Sequence, residues 1–121
     1  MIDTVKVTEA DRDWGTGETD WDPIYGSFPL KKDSFQTVYF WAEIMRESGS
    51  GTVQVRLHLT DGVDDYYSDS KSSSSASWEA VGPASINISA LADKSWDCYV
   101  QGKAEAGAVM RGQKFVVRRE T

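Results

Sequence analysis

The sequence has few of the residues on which catalytic sites depend: its 121 residues include one cysteine and one histidine. A single cysteine excludes an internal disulfide bond. One histidine, His58, leaves no Ser-His-Asp or Cys-His arrangement that can be proposed with any geometry. Cys98 alternates with Trp96 and Val100, which predicts a small buried side chain rather than a reactive thiol. The composition therefore predicts that the chain is not an enzyme.

Positive charge and long apolar runs are also scarce. Thirteen Lys and Arg face nineteen Asp and Glu, for a net charge of -6, whereas a protein that reads nucleic acid needs a basic stripe. No apolar run is long enough to span a bilayer, and the first residues lack the basic head and apolar core of a signal peptide. We therefore expect neither nucleic acid nor a membrane as a partner, and synthesis in a cytoplasm.

The strongest pattern that is present lies in residues 35–61. In its second half Val53, Val55, Leu57 and Leu59 alternate with polar residues, and in its first half Val38, Phe40, Ala42 and Ile44 do the same with a mixed set. Period-two alternation is typical of strands with one buried face. Because Gly49 and Gly51 stand where a loop needs positive φ, the segment predicts an antiparallel hairpin.

Further strands are predicted on both sides of this segment, and no helical period extends over three turns. They cover residues 3–8, 77–81, 84–90, 95–104 and 114–119. Seven or eight short strands with regular turn signals predict a single all-β domain, either a sandwich or a barrel.

Residues 9–33 show no period and contain many breakers, and we expect a long loop or arm there. The segment is too aromatic to be disordered, so it should pack on its own sandwich or on another subunit. The sequence thus divides into an N-terminal strand with an aromatic, acidic arm (1–34) and a β-sandwich core (35–121) within one domain.

The arm also carries acidic residues that resemble a calcium loop, namely Asp11, Asp13, Asp20 and Asp22. Hard oxygen ligands close in sequence suit Ca²⁺. However, Thr16 stands where the glycine of such a loop is needed, and Asp22 where a bidentate Glu is usual. A solvated acidic loop is the favoured interpretation. Asp61, Asp64 and Asp65 form a weaker calcium candidate, for which a plain turn is the favoured interpretation.

Aromatic residues supply two more hypotheses. The loop aromatics Trp14, Trp21, Tyr25, Tyr66 and Tyr67 could stack on sugar rings or cover the ends of the core. The second face of the first half of residues 35–61 is also apolar, with Phe35, Tyr39, Trp41 and Met45, and such patches are typical of interfaces. The predicted interface residues are Trp14, Trp21, Tyr25, Tyr39, Trp41 and Met45.

The segment GlyThrValGlnValArgLeuHisLeuThrAspGly (51–62), with the Ser-rich stretch after it, resembles a recurring strand of jelly-roll β-sandwich domains. TrpAspCysTyrValGlnGlyLysAla (96–104) and LysPheValValArgArg (114–119) stand where those domains have their last strands. The resemblance covers about residues 35–119 and is to phage virion proteins and galactose-binding-like folds.

The resemblance implies a jelly-roll sandwich and a non-enzymatic structural protein of a virion, either a capsid decoration protein or a fibre or tail component. Its partners would be the capsid protein, other virion subunits or copies of itself, with a homotrimer as the symmetry that the family suggests. The alternative is a carbohydrate-binding module. No functional residue in 9–33 follows from the resemblance.

Overall fold

A computed structural model describes residues 2–121. In those residues the chain forms ten strands and no helix, so no helix in them could cross a membrane. The strands are β1 (Ile2–Val7), β2 (Asp13–Thr16), β3 (Asp22–Lys31), β4 (Thr37–Ser48), β5 (Val53–Thr60), β6 (Asp65–Tyr67), β7 (Lys71–Ser73), β8 (Glu79–Asn87), β9 (Ser95–Ala104) and β10 (Val109–Glu120). The predicted all-β, antiparallel sandwich is confirmed.

The strands form two sheets with jelly-roll connectivity. Sheet A has the order β1-β10-β4-β8, and β2 continues along β10 beyond the end of β1; sheet B has the order β3-β9-β5-β6, and β7 pairs with β5. If β1 with β2, and β6 with β7, are each taken as one interrupted strand, eight positions remain. The first pairs with the last, the second with the seventh, the third with the sixth and the fourth with the fifth, as in a jelly roll.

The core lies between the sheets and is built mainly by the two alternating segments. Val38 and Ile44 on β4, and Val55 and Leu57 on β5, have no exposed area. The predicted hairpin is wrong, because β4 belongs to sheet A and β5 to sheet B, and the two face each other across the core. Alternation fixes which side of a strand is buried but does not identify the strand beside it.

The predicted arm is wrong as a loop, since residues 9–33 contain β2 and β3. β3 pairs along its length with β9 and contributes Phe28 and Leu30 to the core. Its pattern is obscured by Pro23 and Pro29 and by two register shifts. β3 tolerates proline because it is an edge strand, where one side needs no N–H donor.

β10 is longer than the predicted 114–119. The reason is that the inward-pointing residues are even-numbered in its first half and odd-numbered in its second half. Met110 and Gly112 point inward, and so do Phe115 and Val117, because an irregularity lies between Gln113 and Val116. Lys114 has a positive φ of 51° there. A bulge of this kind breaks the period of two. Alternation counted from residues 114–119 therefore does not extend into the first half of the strand.

Two further expectations have clear outcomes. The predicted strands 77–81 and 84–90 are one edge strand, β8, which runs through Gly82 and Pro83. Cys98 is buried, as predicted, and burial raises the pKa of its thiol.

Candidate functional site

The outer face of sheet B is formed by the residues of β5 and β9 that point away from the core. Their register sets four pairs side by side: Gln54 with Lys103, Arg56 with Gln101, His58 with Tyr99, and Thr60 with Asp97. The same alternation that buries Val55, Leu57 and Leu59 places the intervening side chains on this face. Four consecutive outward pairs thus gather aromatic, basic and amide groups on one surface.

A continuous stack of flat side chains crosses this face; we call Trp21, Arg56, Tyr67, His58 and Tyr99 the outer stack. The Arg56 guanidinium lies 4.2 Å from the Trp21 ring centroid and 4.0 Å from that of Tyr67. His58 stacks on Tyr67 with centroids 4.7 Å apart, and its ring lies 5.9 Å from that of Tyr99. Trp21 comes from the β3 side and Tyr67 from β6, so the stack joins all four strand positions of the sheet.

Hydrogen bonds fix the polar members of the outer stack. Arg56 Nε donates to Gln101 Oε1 at 2.8 Å, and partial burial lowers the pKa of the guanidinium. His58 Nε2 lies 2.8 Å from Asp65 Oδ1. Hydrogen bonds from His58 and then Thr60 hold the pKa of Asp65 below its usual range. These bonds hold the polar side chains of the face in place.

A shallow groove of about 340 Å³ lies beside the outer stack. Its lining is Pro23, His58, Thr60, Tyr99 and Gln101. Ring faces supply apolar contact, while the Gln101 amide and the Thr60 hydroxyl supply donors and acceptors. The lining contains no serine or cysteine beside His58.

The outer face of sheet A carries a second, smaller groove of about 220 Å³, lined by Ile2, Tyr39, Trp41, Pro83, Arg118 and Glu120. The Tyr39 and Trp41 rings are half-buried with centroids 6.1 Å apart. The Arg118 guanidinium lies 5.6 Å from the Trp41 ring. Met45 is half-buried further along the same strand, opposite Arg111. Three predicted interface residues therefore lie on one face, whereas Phe35, expected beside them, belongs to the core.

The other predicted interface residues lie elsewhere. Trp14 and Tyr25 pack on each other and on the core residue Phe115, with centroid distances of 4.7 Å between the first two and 5.5 Å from Trp14 to Phe115. They close one end of the sandwich within the chain itself. Trp21 joins the outer stack on sheet B, so the structure separates these six residues into three places.

The acidic residues proposed for calcium are also dispersed. Asp13 lies on β2 near Arg111, and Asp22 lies on β3, where it accepts a hydrogen bond from the Thr16 hydroxyl at 2.8 Å. Asp11 and Asp20 are exposed in turns. Within residues 2–121 no three His, Cys, Asp or Glu side chains are grouped to hold a metal ion. Asp61, from the weaker candidate, accepts from the Val63 and Asp64 N–H groups and pairs with Lys94.

Sequence reasoning missed Arg56, His58, Tyr99 and Gln101 as members of one site. A signal was available, because all four occupy the outward half of predicted strands. What the sequence lacked was the pairing of β5 with β9, since these strands are separated by more than thirty positions and by the whole of β6–β8.

Comparison with known proteins adds little. No family model and no curated protein matches the chain. Among solved structures, 98% of the chain superposes on a chain of a glycosylation-associated protein (Gap123) complex from Streptococcus agalactiae, with a TM-score of 0.39 and 10% identity. The chain spans 24% of that longer chain. A likeness at this level carries no argument about what the present chain binds.

Proposed function

We propose that this chain is a non-enzymatic binding module that recognises carbohydrate through the outer face of sheet B. The observation that carries the proposal is the groove beside the outer stack, in which ring faces and fixed polar groups converge. A sugar ring presents an apolar C–H face and a rim of hydroxyl groups. Binding sites of this mixed chemistry combine aromatic platforms with a few placed hydrogen-bonding groups.

The roles of the groove residues follow from their chemistry. Tyr99 and Pro23 offer the apolar surfaces against which a sugar ring can stack. The Gln101 side-chain amide nitrogen is left to donate, because its oxygen already accepts from Arg56. The open, shallow shape suits an oligosaccharide lying along the face better than a small molecule enclosed by the protein.

Replacing Tyr99 with alanine is expected to weaken glycan binding by about tenfold or more, because an aromatic anchor at the centre of a contact typically carries about 2 kcal/mol. Binding is measured first on a glycan array and then by titration with the best-bound member, followed by Trp fluorescence. Tyr39→Ala on the opposite face serves as the matched control and should bind as the wild type does. Equal binding by all three proteins would refute the proposed face.

A second candidate function is attachment to other subunits of a phage virion, or to copies of the same chain, through the outer face of sheet A. The half-buried pair Tyr39 and Trp41 favours it, since aromatic residues and arginine are enriched at interfaces. Ile2, at the rim of the same groove, is 61% exposed. The jelly-roll connectivity agrees with the resemblance to virion domains but is shared by lectins.

For this candidate, Trp41→Ala should weaken assembly by about 2 kcal/mol or more while leaving a folded β-rich chain. Light scattering gives the assembly state as a function of concentration, and circular dichroism reports the fold. Trp78→Ala is the control, because Trp78 is exposed and outside the lining of this groove. A wild type that stays monomeric at every concentration, together with an unfolded Trp41→Ala variant, would make Trp41 a structural residue and remove self-assembly.

A further inference from the structure

We infer that the carbohydrate recognised by sheet B is anionic, and that its charged group binds beside Trp21 between Arg56 and Lys103. The inference rests on the proposed function and names the class of glycan. Arg56 lies 4.2 Å and Lys103 Nζ 4.9 Å from the Trp21 ring centroid. Two cations are thus held at one aromatic ring. They lie at the end of the outer face that is farthest from Asp97.

Neither cation has a carboxylate partner within residues 2–121. Some cations elsewhere are neutralised, such as Lys32 by Asp93 and Lys94 by Asp61, whereas Arg118 on sheet A also has no carboxylate partner in the described residues. Two like charges at one ring repel each other, and an anion bound close to both lowers that repulsion. An anionic ligand would supply the counter-charge that the chain itself does not.

The Arg56 guanidinium retains donors for such a ligand. Its Nε is engaged by Gln101, and the two terminal nitrogens have no hydrogen-bond partner within the described residues. In those residues every fully buried side-chain nitrogen or oxygen has a hydrogen-bond partner. Because the two terminal nitrogens of Arg56 have none, they are not fully buried and are accessible to solvent. The rings of Trp21 and Tyr67 hold the guanidinium in place, and a fixed fork of N–H donors matches two oxygens of a carboxylate or sulfate in two-point contact.

The charges on the rest of the face give the ligand a direction. Asp65 is engaged by His58, and Asp97 lies opposite Thr60, at the end away from Lys103. On the β3 side, Asp22 accepts from Thr16 rather than from either cation. The anionic group is therefore placed at the Trp21 end, and the sugar ring that follows it lies over the groove at Tyr99.

The chemistry required is an anion carried on a sugar, either the carboxylate of a uronic or sialic acid or a sulfate ester. The test uses an array holding neutral, sialylated, uronic and sulfated glycans, followed by titration with oligogalacturonate, its methyl ester and heparin. We expect acidic members to dominate the array. Esterification removes the charge and keeps the ring, so the methyl ester of a bound uronate should bind about tenfold more weakly.

Variants distinguish a specific anion subsite from non-specific electrostatic attraction to the whole protein. Lys103→Gln should weaken binding of the acidic probe about fivefold, leave binding of the neutral ester within about twofold, and reduce the dependence of binding on salt. Arg118→Gln is the matched control, since Arg118 also lies over a tryptophan ring but on sheet A. It should bind the acidic probe as the wild type does.

Three results would overturn the inference. If neutral and acidic glycans bind equally, the anion subsite is refuted and the proposed carbohydrate function is retained. If acidic glycans bind but Lys103→Gln and Arg118→Gln weaken them equally, the attraction is diffuse and the subsite falls. If no member of the array binds, the proposed function and the inference fall together. Preference for carboxylate or for sulfate supports the inference in either case and identifies the source of the anion.

Discussion

Replacing Leu57 with alanine is expected to lower the free energy of unfolding by about 2–5 kcal/mol, which is the range for a buried leucine truncated to alanine. The Leu57 side chain has no exposed area. Its N–H and carbonyl are both bonded to Ser68: the Leu57 N–H donates to Ser68 Oγ at 2.9 Å, and its carbonyl accepts from the Ser68 N–H at 3.0 Å. Because these bonds oppose movement of the strand into the cavity, the upper part of the range is expected.

Equilibrium denaturation by urea measures this loss. Gln54→Ala, on the outward side of the same strand, is the control and should change the free energy of unfolding by no more than about 0.5 kcal/mol. A loss below that size for Leu57→Ala would mean that β5 turns its other face to the core.

Gly49→Ala should also lower the free energy of unfolding by about 2–5 kcal/mol. Gly49 has a φ of 79°, where a side chain costs about 1–2 kcal/mol. A Cβ atom there would lie 2.7 Å from the Cα of Ala108 and closer still to the carbonyl oxygen of Gly107. Since both atoms are backbone, relief requires the turn between β9 and β10 to move, and overpacking of this kind typically costs a further 1–3 kcal/mol.

Gly107→Ala isolates the two contributions. Gly107 has a similar φ of 83°, but a Cβ atom there would meet nothing within 4 Å. It should therefore show only the conformational cost, about 1–2 kcal/mol. Similar losses of stability in the two variants would contradict the close approach of the β4–β5 connection to the β9–β10 turn.

The fold class could be predicted because the inward residues of β4, β5 and β9 alternate without interruption. The strands that were missed or predicted too short each contain a break in that period. β3 carries prolines and two register shifts, and β10 changes parity near Lys114. In both strands the buried residues are apolar, but their spacing is not two throughout, so a pattern search loses them.

The candidate site depended on a different kind of information. The outward residues of β5 and β9 are visible in the sequence, yet they become a site only when Arg56 lies beside Gln101 and His58 beside Tyr99. Pairing of strands far apart in the chain is set by the whole topology rather than by local pattern. Trp21 shows the same point, because the sequence marks it as a loop aromatic and only the sheet order places it at Arg56.

The position of β10 in sheet A has a consequence for how the protein is made. The strand lies between β1 and β4, although residues 109–120 leave the ribosome after all the other strands. Until they emerge, β4 keeps an unpaired edge of N–H and C=O groups, and the nascent core lacks Met110, Phe115 and Val117. Folding of the sandwich must therefore follow translation of these residues, and pairing of such distant segments is slow. During that interval the open edge of β4 favours edge-to-edge association of the growing chain.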